Sequence, residues 1–128
     1  MKFLLSIAVL AALTVGCSSD DKNDPSTGPG ANHAPQIVSV TASPNNVRTG
    51  SGMYAEVTRL NCIATDSEDD SLRFNWSCTF GRFDDPVTAQ SPNWRADGYI
   101  QIDTVFAKVI VSDGRSIDTD SVAIRVTR

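Results

Sequence analysis

From Arg59 to Phe83 the chain alternates, breaks, and alternates again. Leu60, Cys62 and Ala64 share one phase of a first short run, and the acidic segment Asp66-Ser67-Glu68-Asp69-Asp70 follows it. In the second run Leu72, Phe74, Trp76, Cys78 and Phe80 share one phase, while Arg73, Asn75, Ser77 and Thr79 occupy the other. Successive side chains of a strand point to opposite faces, so this sustained period of two predicts a half-buried β-strand. A helix would scatter the same apolar residues around its circumference. The stretch reads as strand, carboxylate-rich turn, strand, with one cysteine on the inward face of each strand.

The same period recurs along the chain. Gln36 to Ala42 reads as a strand, and Ser43-Pro44-Asn45-Asn46 as a turn by its Pro and Asn content. Thr49-Gly50-Ser51-Gly52 is a loop, and Tyr54 to Thr65 a strand with an irregularity near Val57. Asp84-Asp85-Pro86 turns the chain into a short strand, Val87 to Ala89, and Ser91-Pro92-Asn93-Trp94 opens a longer loop. After the Asp97-Gly98 turn, Tyr99 to Ser112 carries Val105, Ala107, Val109 and Val111 on one face. Asp113-Gly114-Arg115-Ser116 is a hairpin loop, and Val122, Ile124 and Val126 alternate in a last strand. About seven short strands separated by turns in about 95 residues predict an all-β fold, an antiparallel β-sandwich.

The first residues follow another pattern. Met1-Lys2 is a minimal positive start, and Phe3 to Leu13 is an apolar run closed by Thr14-Val15-Gly16-Cys17. The run is shorter than the roughly twenty residues a bilayer span needs, and its flanks suit an export signal. A small residue directly before Cys17 resembles the lipobox of bacterial lipoproteins, with Thr14 where that family most often has Leu. The resemblance implies that residues 1–16 are a signal peptide and that Cys17 is acylated as the first mature residue. Several acyl chains anchor a protein to a membrane stably, whereas one holds it only marginally. An ordinary signal peptide with a chance cysteine, or a buried helix, is the alternative.

Residues 18–34 contain no large apolar side chain and are rich in Ser, Asp, Asn, Gly and Pro, so residues 17–34 read as a lipidated cysteine and flexible tether. Its root-mean-square reach is roughly 20–25 Å. Ser18 after the lipid cysteine resembles an outer-membrane sorting signal of Gram-negative bacteria, and Asp20-Asp21 resembles the acidic export tag of surface lipoproteins. The expected location is the outer membrane, on its periplasmic or surface face. His33, the only histidine, reads as a solvated spacer at the tether's end.

Ala64 to Trp76 is similar to the B–C hairpin of bacterial immunoglobulin-like domains of the polycystin-repeat (PKD) and cadherin-like group. Ser91-Pro92-Asn93-Trp94 and Val111-Ser112-Asp113-Gly114 stand where that group carries its Pro-x-Trp and Val-Ser-Asp-Gly motifs. The likeness spans Ala34 to Arg128, and the domain is taken as residues 35–128. Phe80-Gly81-Arg82-Phe83 replaces the polycystin type's Gly-Asp-Gly turn, so the chain resembles a divergent member. The resemblance implies an immunoglobulin-like sandwich and no particular activity, because this fold hosts many roles.

Charge and chemistry narrow the function classes. Eleven Lys and Arg against fifteen Asp and Glu give a net charge of −4 with no run of basic residues, so nucleic acid is not expected as a partner. The only histidine reads as a tether residue and no second one exists to act as a base, so no Ser-His-Asp set is expected; no zinc-ligand spacing occurs, and no Gly-rich loop opens a helix. A pair of acids for glycoside hydrolysis would need a cleft that a sandwich of this size seldom offers. The chain reads as a non-enzyme.

Three features remain. In an immunoglobulin-type sandwich the B–C and F–G loops share one end, which would bring Asp66, Glu68 and Asp70 near Asp113, with Asn32 entering nearby. Oxygen ligands from two loops suit calcium; the alternative is a solvated loop whose aspartates cap the turn. Cys62 and Cys78 would face inward from strands of opposite sheets, and an oxidising compartment would permit a disulfide between them. The alternative is two free buried thiols, because sheets about 10 Å apart can leave Cα atoms beyond the 7 Å bridging limit. Trp76 reads as core. Trp94 either packs over the sandwich edge or, with Tyr99 or Tyr54, forms a platform for sugar. Two functions lead as expectations: an envelope module for adhesion, scaffolding or protein interaction, and a carbohydrate-binding surface module; a small periplasmic inhibitor that docks a loop into an enzyme is a third.

Overall fold

The computed structural model describes residues 30–98, 101 and 103–128. The leader, Cys17, most of the tether and Tyr99 lie outside the described residues.

The alternating runs form strands that pair into two sheets. The elements are β1 (Gln36–Ser43), β2 (Asn46–Arg48), a 3₁₀ turn (Gly52–Tyr54), β3 (Val57–Thr65) and β4 (Arg73–Cys78). They continue with β5 (Arg82–Phe83), β6 (Asn93–Arg95), β7 (Thr104–Ser112) and β8 (Ile117–Thr127). One sheet has the order β1-β3-β6-β5 and the other β2-β8-β7-β4. Every pairing is antiparallel except β2 with β8. In immunoglobulin nomenclature these are the A-B-E-D and A′-G-F-C sheets, so the expected all-β immunoglobulin-like sandwich is the fold. The first strand divides between the sheets at the cis Ser43–Pro44 peptide, β1 pairing with β3 and β2 with β8.

The inward phases meet in one core. Leu60 and Cys62 from β3, Trp94 from β6, and Val105, Ala107, Val109 and Val111 from β7 are buried, as are Val47, Trp76, Ile124 and Val126. Each large aliphatic or aromatic side chain removed from water contributes about 1.5–3 kcal/mol, so this shared phase is the main source of stability. Both indoles also donate a hydrogen bond, Trp76 Nε1 to the Ala89 carbonyl (2.9 Å) and Trp94 Nε1 to the Phe80 carbonyl (3.0 Å). That satisfies the polar end of each ring on burial.

Several expectations are corrected. Val87 to Ala89 is a turn, closed by Ala89 N–H donating to the Pro86 carbonyl at 2.9 Å. It serves the sheet by a different route: the Val87 carbonyl accepts the Trp76 N–H on the free side of β4 (2.9 Å). Asn93–Arg95, expected in a loop, is β6, because Trp94 plugs the core between outward polar neighbours; three residues are too few to display a period. The strand expected from Tyr54 begins only at Val57, at the anticipated irregularity.

The disulfide is corrected as well: Cys62 and Cys78 are both free thiols. Across the sandwich β1 lies against β8 and β2 against β3. Cys62 thus stands on β3 of one sheet and Cys78 on β4, the edge strand of the other, on the far side of β7. The roughly 10 Å between sheets, with any lateral offset added, is past the bridging limit. Burial pushes the Cys62 thiol up to about 11, with the charges of Asp120 and Asp118 adding to it. Cys78 is half-buried, raised by desolvation, and donates to the Phe106 carbonyl at 3.5 Å.

Candidate functional site at the loop end

The β3–β4 and β7–β8 connections emerge at the same end of the sandwich, since Arg73 of β4 pairs with Ser112 of β7. Residues 32 and 33 close over both. Asn32 Nδ2 donates to Asp113 Oδ2 (2.9 Å) and Ser116 Oγ (3.1 Å), and also to the His33 carbonyl (3.2 Å). His33 Nδ1 is hydrogen-bonded to Glu68 Oε1. The adjacent side chains of Asn32 and His33 thus clasp one loop each. His33 is therefore a partly exposed clasp residue and not merely a spacer.

Within each loop an aspartate organises the backbone. Asp66 Oδ1 accepts the N–H groups of Glu68 (3.0 Å) and Asp70 (3.1 Å), and Asp69 takes the left-handed conformation at φ 58°. Asp113 Oδ1 accepts the N–H groups of Arg115 and Ser116, both at 2.6 Å. These are side-chain-capped turns, which is why short acidic residues stand there.

Electrostatics follow the contacts. The hydrogen bond to Glu68, and then its charge, raises His33 above the usual imidazole value. The bonds from His33 and Ser67 hold Glu68 below the usual carboxylate value. Backbone donors from Ser116 and Arg115, with Asn32 behind them, depress Asp113.

Of the residues named for calcium, Asp66 and Asp113 organise their turns, Glu68 is occupied by His33 and Ser67, and Asp70 is exposed. Among the described residues no three His, Cys, Asp or Glu side chains converge as a metal-binding group. Two acceptors are nevertheless buried without a partner: Asp66 Oδ2 and Asn32 Oδ1. Orphaned buried oxygens are of the kind a hard cation takes; of the residues named for calcium only Asp66 has one, and Asn32 stands outside that set.

Trp94 is fully buried, so it is no sugar platform. Sequence reasoning missed the other end. Gly52–Tyr54 leaves Met53 92% and Tyr54 85% exposed. The turn is nonetheless held firmly, by Gly52 N–H to Asp97 Oδ1 (2.9 Å), Tyr54 N–H to the Ser51 carbonyl (3.2 Å) and Gly50 N–H to the Ala96 carbonyl (3.2 Å). The sequence places Tyr54 at the start of an expected strand and Met53 between that strand and the loop before it; only the Gly50-Ser51-Gly52 break hints at a projecting turn. No protein-family model matches the chain, and no curated protein matches it.

Proposed function

We propose that this chain is an exported, lipid-anchored immunoglobulin-like module, a divergent member of the PKD and cadherin-like group. It makes contacts at the cell envelope and does not transform a substrate. The observation that carries the reading is the Met53–Tyr54 turn. Two large side chains stand in solvent on a hydrogen-bonded turn, at the end opposite the Asn32–His33 clasp where the chain enters the domain. Exposing them costs apolar hydration, whereas a Tyr is an efficient anchor in a protein interface because it has few rotatable bonds to freeze, and the flexible Met beside it can adapt to a partner's surface. Entry at one end and anchors at the other suit adhesion or scaffolding.

The test has two arms. Globomycin should arrest the chain as a precursor, and mass spectrometry should find acylated Cys17 at the mature N-terminus; a mature terminus elsewhere removes the anchor. A photocrosslinker at Tyr54 in native envelopes should give discrete protein adducts that the same probe at Val87 does not. Equal labelling at the two positions overturns the interaction reading.

The unpartnered oxygens favour a second element, calcium at the loop end. Asp66 and Asn32 would hold it, and it would neutralise the acidic turn. Millimolar calcium should raise the melting temperature of the parent and not that of Asp66→Asn. Equal responses discard this element.

A further inference from the structure

The strand registers sort charge between the faces. Arg48 of β2, Arg125 of β8, Lys108 of β7 and Arg73 of β4 all occupy the outward phase of the β2-β8-β7-β4 sheet, and all four are exposed. No Asp or Glu stands at an outward strand position of this sheet, although the chain is net acidic. The carboxylates of β8, Asp118 and Asp120, lie in the opposite phase, and Asp103 at the foot of β7 borders Arg125. Among the described residues none of the four cations makes an ion pair.

Their arrangement is a diagonal. From strand rise and spacing, Arg125 to Lys108 and Lys108 to Arg73 are each roughly 14 Å, and the whole line from Arg48 is roughly 35 Å. At its middle Phe106 stands 61% exposed. Small residues flank it: Ala123 is opposite Phe106, and Ser77 and Ser121 are opposite Lys108 on either side. They leave an open groove of about 410 Å³ lined by Ser77, Cys78, Thr79, Phe106, Lys108 and Ser121.

We propose that this face binds an acidic polysaccharide, with a sugar ring stacked on Phe106, its hydroxyls meeting Ser77, Thr79 and Ser121, and its carboxylate on Lys108. Arg73, Arg125 and Arg48 then meet acidic groups farther along the polymer. A sugar ring has an apolar face and a polar rim, which is the chemistry of an aromatic floor edged with hydroxyls. Spaced, unpaired cations add charge complementarity along a line. Single-stranded nucleic acid fits less well, because successive bases need successive aromatic platforms and this face has one. The proposal goes beyond the envelope-contact reading and is independent of the Met53–Tyr54 turn.

The probe is polygalacturonate, titrated into the purified full chain, with dextran, oligothymidylate and phosphatidylglycerol vesicles as competitors. Polygalacturonate should bind and weaken at least about tenfold between about 50 and 200 mM salt, as a multi-cation contact does. Dextran should not bind. Lys108→Gln/Arg73→Gln and Phe106→Ser should each lose about tenfold or more, an outcome set by charge and stacking at exposed positions where folding is little affected. Tyr54→Ala should bind as the parent does, which separates this site from the proposed contact turn. No binding of polygalacturonate, undiminished binding by the double variant, or tighter binding of oligothymidylate or vesicles would each overturn the assignment.

Discussion

Gly81 shows how one residue holds the β5–β6 corner. Its φ is 73°, and a Cβ placed on it would run into the Trp94 ring and meet the Arg95 carbonyl oxygen at 2.5 Å. Gly81→Ala should lower stability by about 2–4 kcal/mol from overpacking and left-handed strain, read as a drop in the urea midpoint. The cysteines give a second residue-scale prediction. Alkylation of the unfolded, unreduced protein should label both Cys62 and Cys78, and in the native protein Cys62 should stay unlabelled at pH 8, far below its raised value. A mass two hydrogens lighter, with neither thiol labelled, would restore the disulfide. The clasp titrates in a defined sense. His33 is raised, so its contribution is complete below 6.5 and is lost as pH rises through its folded value. Glu68 is depressed, so its share is complete above 4.5 and is lost as pH falls through its folded value. The His33–Glu68 bond is therefore strongest between those limits. The His33 imidazole followed by NMR should titrate above 6.5 in the parent and return toward 6.5 in Glu68→Gln.

At the scale of elements, the B–C turn depends on one oxygen. Asp66 Oδ1 holds two backbone N–H groups, so Asp66→Ala should cost about 1–3 kcal/mol even without calcium. Asp66→Asn, which keeps an acceptor there, should cost less in calcium-free buffer. Thermal melts of the two variants check this. The long strands were readable in the sequence because Leu60-Cys62-Ala64, Phe74-Trp76-Cys78 and Val105 to Val111 repeat for several residues in one phase. β5 and β6 were not, since two or three residues cannot establish a period, and Trp94 beside Pro92 looks the same in a loop as in a strand. The hydrogen bond from the N-terminal segment to Asp113 spans 81 positions. Asn32 was expected near the loop end from the fold, but the reach of His33 to Glu68 was not, because nothing local marks it. The free thiols were a question of which strand faces which across the sandwich, and phase says only that each points inward.

For the whole molecule, the distribution of charge matters more than its sum. A net charge of −4 conceals an outward sheet face with Arg and Lys and no carboxylate. The period of two could have revealed it, since Arg73 alternates with the core residues of β4, Lys108 with those of β7 and Arg125 with those of β8. Only pairing, however, aligns three separate strands into one line. The ends of the sandwich differ too, with capped acidic turns at one and exposed Met53 and Tyr54 at the other.

β1 begins beside the Asn32–His33 clasp and runs to the opposite end, antiparallel to β3 along most of its length. A pull between the N-terminus and a grip on the Met53–Tyr54 turn is directed along these two strands. Hydrogen bonds between antiparallel strands lie across that direction. Such a load must slide β1 past β3 and strain the ladder together, whereas a pull across the strands would open the bonds one by one. Single-molecule stretching along that line should therefore meet higher resistance than stretching across it.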